Sequence, residues 1–279
     1  MTAELVGPEV EFRPGMPELL FRVRDLTGSS SATTGSMSTG PWVLGPDARP
    51  SFGSLGVLLD VVLGFALINE RPPGHWGVTT SMSVEFCSPI PIDHTTLLGQ
   101  GRAVHLTETG GISQCEVRTI DGSTVAVATQ QNRFVPGTPG ENRRPNHSAT
   151  ATGSQTILDL LDATTRSYDG ELELHLTTGP NVANPLGNLH GGIVACLSEI
   201  AASMAVRSES HPLDAASMHI AYIRPGPVAG TVRFRTQVAY RGRTSAVVRV
   251  ECLRPDGKAC AVATVTCGGP RQPVHGIGS

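Results

Sequence analysis

The sequence predicts an α+β protein made of two copies of one domain, each an antiparallel sheet packed against a single long helix. Three observations predict it. The chain repeats itself: Thr39-Gly40-Pro41 returns as Thr178-Gly179-Pro180, an offset of 139 residues, and at that offset Val43, Pro46, Gly53 and Ala66 meet Val182, Pro185, Gly192 and Ala205. Each copy holds an apolar helical stretch behind a loop rich in Pro, Gly and Asn or Ser. In the second copy Ile193, Leu197, Ile200 and Met204 recur at helical spacing. Each helix is followed by strands of alternating polarity, and Asp121-Gly122 and Asp256-Gly257 mark equivalent hairpin turns. A repeat this long means two domains rather than a solenoid.

In chain order, residues 1–36 read as an N-terminal extension that ends in a polar stretch, GSSSATTGSMSTG, whose last residues approach the first strand. Residues 37–136 form the first domain and 137–156 a linker dominated by Pro, Gly, Asn and Ser. The second domain follows over 157–270, with strands expected near 214–224, 230–240, 244–254 and 259–267, and 271–279 is a tail.

The 279 residues suffice for two domains. Charge is low and nearly balanced, with 21 Lys and Arg against 24 Asp and Glu. No basic face for nucleic acid is expected, and no apolar run approaches the ~20 residues of a membrane span. The first residues, MTAELVGPEVEF, lack a basic region followed by an apolar one, so no secretion signal is read. The six cysteines show neither metal nor disulfide spacing, which points to a reduced, cytoplasmic protein without a metal or other cofactor.

The informative stretch is Thr178–Arg207, TGPNVANPLGNLHGGIVACLSEIAASMAVR. His190-Gly191-Gly192 closes a loop and opens a helix, and Glu199 follows nine residues after His190. Glycines at a helix entrance let a ligand approach the backbone, and the first N–H groups suit an oxygen gaining negative charge. A carboxylate on an oily helix needs a reason. Asp60 occupies the matching position in LGVLLDVVLGF of the first copy.

A bare His-Gly-Gly is a common helix entrance. With Asn184 ahead of it and an acid nine residues behind, the stretch resembles the signature of PaaI-like hotdog acyl-CoA thioesterases. The resemblance covers roughly 37–136 and 157–270; in the first copy it is degenerate, with Ser51-Phe52-Gly53 for His-Gly-Gly and Gly45 for the Asn. It implies two tandem hotdog domains, each a curled antiparallel sheet wrapped around its central helix, paired as a pseudo-dimer. It also implies a site between units, where one unit supplies the Asn and the Gly-Gly entrance and the other supplies the carboxylate and a nearby hydroxyl.

Two such sites are conceivable, and they are unequal. The first joins Asn184, His190, Gly191 and Gly192 to Asp60, with Thr79 at the hydroxyl position. The mirror site joins Glu199 to Gly45, Ser51 and Phe52, and lacks both the Asn and the His. One working site is therefore expected, centred on Asp60, with Glu199 a relic or a secondary element. Asp60 would activate water or attack the thioester directly. The Gly191 and Gly192 N–H groups would polarise the carbonyl. Asn184 would orient water or thioester, His190 would hold the loop, and Thr79 would hold the water or the carboxylate.

The implied partner is an acyl-CoA substrate, with no nucleic acid and no membrane, and the fused pair is expected to assemble further into a dimer or trimer. Arg224, Arg241 and Arg243 are candidates for CoA phosphates, each weighed against ordinary solvated charge. Two other readings stand beside hydrolysis: a hotdog hydratase or dehydratase, which pairs a catalytic His and Asp in one unit, and a non-catalytic acyl-CoA binding or regulatory module.

Overall fold

A computed structural model of the chain describes residues 12–28, 32–137, 156–168, 171–208 and 212–269. The expected linker lies almost wholly outside these residues, as do the tail and the first part of the extension. The first half runs α1 (Met16–Leu20), β1 (Val23–Gly28), β2 (Thr33–Ser38), α2 (Gly56–Ile68), β3 (His75–Phe86), β4 (Thr96–Thr107), β5 (Gly110–Thr119) and β6 (Thr124–Pro136). The second runs α3 (Ile157–Leu161), β7 (Ala163–Tyr168), β8 (Glu171–Thr178), α4 (Gly191–Val206), β9 (Asp214–Tyr222), β10 (Gly230–Arg241), β11 (Ser245–Leu253) and β12 (Ala259–Gly268).

The twelve strands form one antiparallel sheet in the order β1-β2-β4-β5-β6-β3-β9-β12-β11-β10-β8-β7. Read outward from its middle, the order is the same on both sides. The two halves meet where β3 pairs with β9, Met82 opposite Ile220 and Val84 opposite Met218. The repeat continues into detail: short 3-10 turns at Pro41–Val43 and Pro180–Val182 precede isolated bridges Leu44 to Pro50 and Ala183 to Leu189.

The repeat begins earlier than the sequence shows. Part of the stretch assigned to an extension forms α1, β1 and most of β2, and these are counterparts of α3, β7 and β8. β2 pairs with β4 as β8 pairs with β10, so the first half needs this segment to complete its sheet. Composition concealed it, because an edge hairpin tolerates polar residues such as those of TTGSMS.

The expected apolar stripe on α4 is wider than a stripe. From Gly192 to Ser203 every residue is buried, while Met204 is only partly so. The cause is a second contact: α4 lies between the sheet and α2. Glycines set how close these helices come. A Cβ on Gly192 would sit 2.5 Å from the Gly56 carbonyl, and one on Gly53 would sit 2.4 Å from that of Cys196. No helix among the described residues is long and apolar enough to cross a membrane. All six cysteines are free thiols.

Candidate active site

The helix contact brings Asp60 of α2 to the start of α4. His190 caps that helix, its Nδ1 accepting the Gly192 N–H at 3.1 Å. The same N–H reaches the Asp60 Oδ2 at 3.0 Å. A Cβ on Gly191 would lie 2.9 Å from that oxygen, so glycine is what admits the carboxylate. The other oxygen, Oδ1, accepts the Thr79 hydroxyl of β3 at 2.9 Å. Asp60 is thus gripped from its own half by Thr79 and from the other half by a helix N-terminus, where a negative charge is stabilised.

This arrangement corrects one expectation. The sequence pattern offers both the Gly191 and Gly192 N–H groups to a substrate carbonyl, but the Gly192 N–H is occupied by Asp60 and His190. The Gly191 N–H, at the first turn of α4, has no partner within the helix and lines the cavity described below. Asn184 also differs in detail. Its Oδ1 accepts the N–H groups of Leu186 and Asn188, both at 3.0 Å, and so closes the loop. That leaves the Nδ2 amide as the end of the side chain that can serve a ligand.

His190 is buried and contacts Glu18 as well, Nε2 to Oε1 at 3.3 Å, while its Nδ1 lies 3.4 Å from Asp60 Oδ2. With Nδ1 accepting the Gly192 N–H, the neutral ring carries its proton on Nε2 and gives it to Glu18. Burial alone would lower the imidazole pKa; the Glu18 hydrogen bond and the charges of Asp60 and Glu18 outweigh burial and hold it above its ordinary value. Burial works the other way on Glu18, whose bond to His190 holds its carboxyl below the usual range.

Glu199 does not join this group. It is fully buried on the mirror side, where it accepts Ser51 Oγ at 2.5 Å, the Gly53 N–H at 2.9 Å and Ser203 Oγ at 2.7 Å. Its bond to Gly53 is the counterpart of Asp60 to Gly192, so the two carboxylates are equivalent in position and unequal in surroundings. Phe52 stacks on Phe86 nearby, ring centroids 4.7 Å apart.

Sequence reasoning missed three side chains. Gln130 of β6 is buried and donates from Nε2 to Thr79 Oγ1 at 3.0 Å and to Asn132 Oδ1 at 2.7 Å; its Oε1 has no hydrogen-bond partner among the described residues. A signal for it existed: Ala128, Gln130, Asn132 and Phe134 alternate on the buried face, an amide where an apolar residue belongs. Aligning VAVAT with CAVAT puts Val265 opposite Gln130, and the Ser81-Met82 match puts Ala215 opposite Thr79. Glu199 therefore has neither a Thr79 nor a Gln130 counterpart. Tyr222 of β9, whose hydroxyl donates to the Gly191 carbonyl at 2.9 Å, and Glu18 carried no sequence signal.

Asp60, Thr79, Asn184, His190, Gly191 and Tyr222 line a cavity of about 500 Å³, and Gln130 lies buried behind Thr79. Its polar end carries Asn184, Asn188 and Arg224, and its apolar end Phe65, Ile68 and Trp76. Of the three arginines considered for CoA, only Arg224 lines it.

The fold is shared with solved thioesterase structures. The tesB protein of Mycobacterium avium subsp. paratuberculosis matches with a TM-score of 0.64 at 10% identity, over 91% of this chain and 97% of that one. A protein assigned as a thioesterase II from Thermobifida fusca gives 0.61 at 13% identity, over 92% and 100%. The 12:0-ACP thioesterase of Umbellularia californica gives 0.55 at 15%, over 85% and 93%. A comparison with curated proteins gives no match. The class these matches define is one of fold, the hotdog fold of thioesterases. Residues 180–268, within the second half of the chain, match the family model described as the acyl-CoA thioesterase N-terminal domain.

Proposed function

We propose that the chain is a tandem hotdog pair, a pseudo-dimer within one polypeptide, that hydrolyses acyl-CoA thioesters at a single site between its halves. The mirrored strand order and the β3–β9 seam support the pairing. The Asn184 to Glu199 pattern supports the PaaI-like layout. The observation that carries the function is the Asp60 carboxylate, held by Thr79 on one side and by the Gly192 N–H of the other half on the second, on the wall of a cavity large enough for a ligand.

In this reading Asp60 is a general base. An unsatisfied buried acceptor costs roughly 1–3 kcal/mol, and the Gln130 Oε1 is one. A water donating one proton to Gln130 and the other toward Asp60 satisfies it and readies the nucleophile. The water oxygen attacks the thioester carbon as Asp60 takes its proton. The Gly191 N–H, with the Asn184 amide, holds the oxyanion at the positive end of α4. Collapse of the intermediate breaks the C–S bond, the CoA sulfur leaves with the proton from Asp60, and the free acid remains. Arg224 at the rim faces the phosphate-bearing part of CoA.

The hydratase alternative needs a His free to move a substrate proton. Both ring nitrogens of His190 are engaged, by the Gly192 N–H and by Glu18. The binding-module alternative is separated by experiment. Free-thiol release is measured with a panel of acyl-CoAs for the wild type and Asp60→Asn, alongside binding of a non-hydrolysable CoA thioether. Turnover lost by about a thousandfold with binding kept is the expected result. Tight binding without wild-type turnover establishes the module instead, and unimpaired turnover in the variant removes Asp60 from the mechanism.

A further inference from the structure

Most glycines around the site have a visible reason. Gly53, Gly56 and Gly192 let two helices touch, and Gly191 admits Asp60. Gly64 is different. It lies inside α2, one turn after Asp60, where glycine is less favourable than alanine by roughly 0.5–1 kcal/mol. Its backbone needs no unusual φ, and a Cβ there would meet nothing nearer than Gln130 Nε2 at 3.9 Å. Neither packing nor conformation calls for glycine at this position. What it does is leave open space in the cavity wall directly beside the reacting carboxylate.

We infer that Gly64 is the passage for the acyl chain and that the substrates are medium-chain acyl thioesters. The inference rests on the thioesterase reading. Asp60, Gly64 and Ile68 lie along one helix face at four-residue spacing, with Val61 and Phe65 beside them, and all five line the cavity. Trp76 of β3 and Val135 of β6 line it as well. From Asp60 to Ile68 this wall runs ~12 Å at ~1.5 Å per residue. Phe65, Ile68, Trp76 and Val135 give this wall an apolar surface that suits a hydrocarbon, with Thr80 and Asn132 its polar members. Phe12 packs edge-on against Phe65, centroids 5.4 Å apart, and backs the far end of the channel. A side chain at Gly64 would stand between the carboxylate and the apolar end, so it would act on long acyl groups before short ones.

The test is the ratio of kcat/KM for decanoyl-CoA over acetyl-CoA, with Tm, in wild type, Gly64→Ala and Gly64→Leu. Wild type is expected to favour decanoyl-CoA. The alanine variant is expected to melt higher, because alanine suits the helix better, yet to lose about tenfold in the ratio, and the leucine variant more. An unchanged ratio in the alanine variant, with decanoyl-CoA still turned over, overturns the passage and leaves the thioesterase reading standing. A wild-type preference for acetyl-CoA overturns the substrate class. A wild type that turns over no thioester removes the parent reading, and this inference with it. Because the alanine variant is expected to fold at least as well as the wild type, a misfolded leucine variant still leaves a decisive measurement.

Discussion

The Asp60 carboxylate accepts the Gly192 N–H at 3.0 Å, across a separation of 132 residues in the chain. Its twin, Glu199, accepts the Gly53 N–H at 2.9 Å. Each acid therefore caps the helix entrance of the opposite half, and the two bonds tie the halves together at their closest approach. What distinguishes them is the remaining shell: Thr79 and Gln130 around Asp60, two serines around Glu199.

Gly192→Ala tests the helix contact. The added Cβ would fall 2.5 Å from the Gly56 carbonyl and 2.6 Å from the Val57 Cα, backbone atoms that cannot swing aside. A loss of about 3 kcal/mol or more is expected in urea unfolding. Gly56→Ala should cost as much, since its Cβ would meet the Gly192 carbonyl at 2.3 Å. Wild-type midpoints in both variants would show that the helices can separate freely.

Thr79→Val and Gln130→Leu test the group that holds water and carboxylate. Each is expected to lower kcat by about tenfold to a hundredfold with a smaller change in KM, because a misplaced base and water slow the chemistry more than binding. Thr79→Ser, which keeps the hydroxyl, should recover much of the loss. Steady-state kinetics with one acyl-CoA is sufficient, and a change confined to KM contradicts the assigned roles.

Glu199→Gln separates the two carboxylates. Glu199 accepts from Ser51, Gly53 and Ser203 and lines no part of the Asp60 cavity. Placing an amide where three donors converge is expected to cost about 1–3 kcal/mol in unfolding, with hydrolysis at Asp60 retained. Turnover lost without any loss of stability would make Glu199 a working acid.

The Glu18 and His190 pair predicts a pH window. His190 is raised in the folded protein, so its contribution is fully present below the ordinary imidazole value of 6.5 and is lost as pH rises through the higher folded value. Glu18 is lowered, so its contribution is fully present above 4.5 and is lost as pH falls through the lower folded value. Both act together between those ordinary values. Glu18→Gln should therefore destabilise most at mildly acidic pH and least in alkali, read as unfolding midpoints across the range. A penalty independent of pH would mean the contact is not ionic.

The serine-rich stretch before Met37 was legible only as polar chain, since β2, although paired with both β1 and β4, alternates buried residues with exposed or half-buried ones and needs no apolar run. Gln130 was in principle visible, as an amide in a core-facing register, but the register itself depends on which face of β6 meets α2. Asn184, His190, Gly191 and Gly192 were legible because they are neighbours in one loop, where local spacing is spatial arrangement.

From the sequence alone came the repeat, the two apolar helices, the alternating strands and the inequality of Asp60 and Glu199, because each depends on residues near one another in the chain or on comparison of two copies. Tertiary structure alone decided which N–H serves the carboxylate and which remains for a ligand, that Glu18 reaches His190, and that Gln130 stands behind Thr79. Those contacts span 51 to 172 residues and depend on which strands pair and on how closely two helices cross at their glycines, which no pattern of residue types encodes.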